Sequence, residues 1–96
     1  MPHFLVEYRE LGNPAQRDAL RGAHIGYRKG LGEAMALAGP LLDEADAPIG
    51  SVVILAAQDE AEARATALAD PYVAGEVLAL VSVRRYRIAA MKPPAS

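Results

Sequence analysis

GSVVILAAQDEAEARATALADPYVAGEVLALVSVRRYRI, residues 50–88, is the stretch that decides the fold. Its opening, Gly50 to Ala57, is a near-continuous apolar run rich in β-branched residues, which predicts a buried strand. Asp59 then offers an N-cap, and Glu62 stands where a capping box places its acid, so a helix starts there. Ala61, Ala65 and Leu68 are spaced to form the inner face of that helix, with Glu60 and Arg64 toward water. The helix must end near Asp70, because a residue before proline is steered out of the helical region. Asp70-Pro71 can equally cap and open one further short turn, closed by Gly75. Glu76 to Ile88 returns as a second apolar strand.

The preceding half has a matching plan. His3 to Arg9 (HFLVEYR) reads as a strand, and Leu11-Gly12-Asn13 breaks it. Asn13 is placed as an N-cap, Pro14 suits the first helical position, and Gln16 completes a capping-box pattern. Leu20, His24, Tyr27 and Leu31 then recur on one helical face, with Arg17, Asp18, Arg21, Arg28 and Lys29 mostly off it. Ala19, Ala23, Gly26 and Gly30 form a small-residue strip expected to meet another helix. Met35 to Leu42 reads as a strand interrupted by Gly39-Pro40. Proline cannot donate to a ladder, so this strand belongs at an edge or carries a bulge. Asp43 to Pro48 is an acidic loop.

The order is therefore βαββαβ, an α+β, ferredoxin-like arrangement. It implies a four-stranded antiparallel sheet in the order 4-1-3-2 with both helices on one face. Residues 1–90 form the expected single domain and 91–96 a flexible tail. Such a small chain has a marginal core, and with no cysteine it has neither disulfide nor thiolate metal site to stiffen it. Its strands are apolar on both faces, as in Phe4-Leu5-Val6, Val52 to Leu55 and Val77 to Val81. Two helices cover one side only, so the open sheet face calls for a second copy and a homodimer is expected. Net charge is −2 and aromatics are few, which disfavours nucleic acid or an anionic membrane as partner. The N-terminus lacks a basic, apolar leader pattern and no run approaches a membrane span, so a cytoplasmic location is expected.

An imidazole and a carboxylate are the minimum kit for proton transfer near neutral pH, and His24 and Asp70 supply them from the two helical segments. Asp70 would orient the ring and His24 would take or give the proton, while Tyr72 lines the pocket or donates a hydrogen bond. Tyr27 and Arg9 are further candidate substrate-binding side chains. The alternatives are a packed core histidine and an aspartate that only caps a helix. No metal site is expected, since His3 has no identifiable partners, and no cofactor motif is present. Arg84, Arg85 and Arg87 read as a solvated strand end rather than one anion cradle, because neighbouring strand residues face opposite ways.

His24 in the first helix, Ala38-Gly39-Pro40-Leu41, Gly50 opening the third strand, the Glu7-Tyr8-Arg9 strand end and Ala69-Asp70-Pro71-Tyr72 together resemble the YCII-related proteins. The resemblance runs from His3 to Ile88. It implies a dimeric α/β barrel, in which ferredoxin-like subunits pack sheet to sheet. It also implies an active site built on a His and an Asp, here His24 and Asp70. One relative is a dehydrochlorinase of a chlorinated hydroxyquinol, and muconolactone isomerases and haem-degrading monooxygenases share the wider fold. The expected function is a cofactor-independent lyase or isomerase of a small oxygenated cyclic compound. A non-catalytic dimeric binding module is the alternative.

Overall fold

The computed structural model describes residues 1–92. Four strands, β1 (His3–Glu10), β2 (Met35–Leu42), β3 (Pro48–Ala56) and β4 (Leu78–Tyr86), form one antiparallel sheet in the order β2-β3-β1-β4. The helices are α1 (Pro14–Gly30), α2 (Glu60–Leu68) and the one-turn α3 (Pro71–Ala74). This is the ferredoxin-like plan, and Pro40 lies on an edge strand where its missing N–H disrupts no central ladder. The tail beyond residue 92 lies outside the described residues.

Alternation along β1 sorts the two faces. Phe4, Val6 and Tyr8 are buried beneath the helices with Val53 and Leu55 of β3 and Val83 of β4. Against them pack Ala63 and Ala67 of α2, Tyr72 of α3, and Val77 and Leu78, with Leu20 and Leu31 of α1 at the margin. Tyr8 ties the layers together by donating its hydroxyl hydrogen bond to the Ala67 carbonyl at 2.8 Å.

Several local expectations are corrected. The inner face of α2 is Ala63 and Ala67, whereas Ala61 and Ala65 are exposed and Leu68 is 47% exposed. Alanine occupies every odd position from 61 to 69, so periodicity alone does not fix the rotation of this helix. Asn13 makes no side-chain cap bond, and Gln16 Nε2 reaches the Gly75 carbonyl at 3.4 Å instead. The strip of Ala19, Ala23, Gly26 and Gly30 meets no helix and is exposed. Asp59 does cap α2, accepting from the Glu62 amide at 2.8 Å. β4 ends at Tyr86 and carries a bulge. Glu7 pairs with Ser82 but Tyr8 with Leu80, so Val81 is the extra residue and is exposed.

The open face carries Leu37, Val52, Ile54, Leu5, Tyr86 and Val81 beside Glu7, Arg9 and Arg84. Leu37, Val81 and Tyr86 are exposed, whereas Ile54 is only 6% exposed. Beyond β4 the chain turns across the open face toward β3 and β2, where Ile88, Ala90 and Met91 line a cavity of about 210 Å³ with Ile54 and Leu37.

Candidate active site

α2 packs on β4 and β1, but α1 leans chiefly on α3. Over β3 and β2 the space beneath α1 holds Arg28 instead of an apolar side chain, and a cavity of about 490 Å³ opens beside it. Its walls come from α1 (Arg17, Arg21, Arg28), the β2–β3 edge (Ala38, Gly39, Pro40, Pro48, Gly50, Ser51), Glu10, Tyr72 and Leu78.

Asp70 is the organising residue. It stands between α2 and α3, where the following proline pre-sets the first turn of α3 and the aspartate caps it. Its side chain is 1% exposed, and both its oxygens are held by hydrogen-bond partners. Oδ1 accepts from the Tyr72 amide at 3.0 Å and Oδ2 accepts from Arg28 Nε at 2.9 Å. His24 Nδ1 lies 2.8 Å from Oδ1 and 3.0 Å from Oδ2. A carboxylate so held accepts a hydrogen bond from Nδ1–H, which leaves Nε2 as the ring nitrogen free to exchange a proton. Nε2 makes no hydrogen bond among the described residues, and the His24 side chain keeps 17% of its surface exposed. The Tyr72 ring stacks on the imidazole with centroids 3.8 Å apart and an interplanar angle of 7°, which fixes the ring plane. Arg17 lies over the other side of Tyr72, 5.2 Å from its centroid, and is ion-paired with Glu10.

His24 and Asp70, 46 residues apart in sequence, are thus in direct contact. Neither lines the cavity itself. Tyr72 and Arg28, which grip the pair from two sides, form its wall. Two phenols beneath the helices are held neutral. Burial pushes the Tyr8 hydroxyl well above its usual range, with Arg28 opposing and Asp70 adding to the rise. Burial and then Asp70 raise that of Tyr27.

Residues 1–87 match the YCII-related domain. The chain belongs to that family. Among solved structures it is similar to the 5-chloro-2-hydroxyhydroquinone dehydrochlorinase TftG from Burkholderia phenoliruptrix AC1100, in complex with 2,5-dihydroxybenzoquinone. Identity is 24%, the match covers 88% of this chain and 93% of that one, and the TM-score is 0.69. At that identity the likeness shows the shared fold. No curated protein matches the chain.

Within this YCII-related domain the remaining candidate residues separate. Tyr72 lines the cavity. Tyr27 donates to the Thr66 carbonyl at 2.6 Å, bracing α1 against α2 away from the cavity wall. Arg9 lies on the opposite face of the sheet, in register with Gly50 and Ala79, and is not brought to the His24–Asp70 pair. Arg28 joins the site although the sequence pattern groups it with the charges mostly off the apolar stripe. Its spacing of four from His24 on α1 is the one signal that puts it on the same face.

Proposed function

We propose that this YCII-related protein is a small cofactor-independent enzyme, a lyase or isomerase that moves a proton on a small oxygenated cyclic compound. His24 Nε2 is the acid/base and Asp70 orients the ring. The compound sits in the cavity walled by Tyr72 and Arg28, and a homodimer forms through the open sheet face. The observation that carries this reading is the Asp70 carboxylate locked on His24 Nδ1 by two further donors, with Nε2 left unbonded. Such an arrangement holds one tautomer and supplies roughly 10²–10⁴-fold in rate when a substrate proton is in reach. The neighbour's reaction, dehydrochlorination, fits the same kit. Removal of HCl needs one base for a proton and a leaving chloride that carries its own electron pair. The exposed Leu37 and Val81 on the open face support the dimer.

A second reading, a ligand-binding module without turnover, draws on the absence of His24 and Asp70 from the cavity wall. A screen of chlorinated hydroxyquinols and lactones separates the two. Wild type turns over at least one of them, and His24→Ala loses about 10²-fold or more of that rate. In that variant Asp70 keeps Arg28 and the Tyr72 amide, so folding stability falls by only about 1 kcal/mol. Ligand binding without turnover by wild type would favour the second reading. A stability loss in His24→Ala with no effect on rate or binding would remove the first.

A further inference from the structure

The cavity beside the pair is basic, and its deepest cation is incompletely satisfied. Arg28 commits Nε to Asp70 at 2.9 Å. Nη1 reaches only Ser51 Oγ at 3.5 Å, and Nη2 is buried without a partner. Unpaired N–H groups of a buried guanidinium carry a large desolvation penalty, so their presence here calls for an acceptor. The charges agree. Three arginines, Arg17, Arg21 and Arg28, line the cavity. Glu10 pairs with Arg17 and Asp70 with Arg28, which leaves exposed Arg21 without a carboxylate among the described residues.

We infer that the cavity binds a small organic monoanion at Nη1 of Arg28, with Arg21 as the second cation. The ligand class is a carboxylate, or the ionised hydroxyl and conjugated carbonyl of a planar unsaturated ring. This rests on the reading above that the cavity is where the substrate goes. The Tyr8 ring, 5.4 Å from the guanidinium carbon, backs the guanidinium, and the long Ser51 contact is the one that yields when a better acceptor enters. Pro40, Pro48 and Leu78 give apolar walls for the faces of a ring. A single uncompensated charge favours a monoanion over phosphate. Arg28 thereby has two roles, holding Asp70 for the proton chemistry and holding the ligand's charge.

Benzoate and benzamide, alike in shape and different in charge, are titrated by calorimetry into wild type, Arg28→Lys, Arg21→Gln and His24→Gln. Wild type binds benzoate with a dissociation constant on the order of 1 mM or tighter and benzamide about tenfold or more weakly. Arg28→Lys keeps a charge opposite Asp70 but loses Nη1, and benzoate affinity falls about tenfold or more. Arg21→Gln changes an exposed side chain and weakens benzoate about threefold, an effect that added salt removes. His24→Gln weakens benzoate by less than Arg28→Lys does. Absent benzoate binding, equal affinity for benzamide, or Arg28→Lys and Arg21→Gln binding as wild type would each overturn the inference. So would a loss in His24→Gln equal to that in Arg28→Lys, which moves the anion to the imidazole. If Arg28→Lys does not fold, Arg21→Gln decides. Charge discrimination without turnover of any compound leaves this inference standing and removes the acid/base function. Turnover with no charge discrimination does the reverse.

Discussion

At the scale of single residues, the site is one buried carboxylate with three partners, and its charge is what each partner needs. Asp70→Asn keeps the shape but leaves Arg28 as a buried cation with no counter-charge. A loss of about 2–4 kcal/mol is expected, read by urea denaturation, with any turnover reduced at least as far as in His24→Ala. The phenols give a pH signature. Burial raises the folded-state value of Tyr8, and of Tyr27, above the usual 10.0. Below that value folded and unfolded chains both hold the protons. Above it the unfolded chain releases them while the folded chain keeps them, so stability falls as pH rises, by at most about 1.4 kcal/mol per unit for Tyr8 and by less for the more exposed Tyr27. Denaturation curves between pH 9 and 11 should show this slope, and Tyr8→Phe should flatten it. His24 and Asp70 were legible in the sequence because one interrupts an apolar stripe and the other precedes a helix-breaking proline. Arg28 was not, because a charged residue on a helix ordinarily faces water. Arg9 misled for a different reason. Strand alternation sets it opposite Tyr8, with His3 and Glu7, and so on the wrong side of the sheet.

At the scale of elements, β1 and β3 approach each other at Gly50 because no side chain stands between them. A methyl group at Gly50 would overlap the backbone carbonyl of Tyr8, which the ladder holds in place. Gly50→Ala should therefore cost about 1–3 kcal/mol and broaden amide signals along β1 and β3 in a proton–nitrogen spectrum. Gly75→Ala meets the Leu20 side chain instead, which can turn aside, so a smaller loss is expected there. Strands β1 and β3, the edge position of β2 and the cap of α2 were all readable from residue type, since β-branched runs, Pro40 and Asp59 each have one physical use in those settings. The rotation of α2 was not, because its evenly spaced alanines carry no amphipathic signal and Leu68, its one large apolar side chain, is half in water. The bulge at Val81 also left no mark, since it sits in an unbroken apolar run.

At the scale of the whole molecule, the two sheet faces have different tasks. The helix face builds the domain and the cavity, and the open face is where we place the second copy. Leu37→Glu and Val81→Glu alter exposed positions on that face. Each should shift sedimentation from dimer to monomer while leaving circular dichroism unchanged. A wild-type chain that sediments as a monomer at micromolar concentration would end the dimer proposal. No helix among the described residues is long and apolar enough to cross a membrane. The methyl groups of Ala63 and Ala67 touch the sheet, and the Ala67 carbonyl is tied to Tyr8 three residues before Asp70. The gap between α2 and the strands therefore sets where the aspartate stands. Enlarging either alanine would tilt that platform and detune the imidazole from a distance, with no contact residue altered. Laboratory selection for new substrates should accordingly accumulate changes in this thin alanine seam as well as around the cavity.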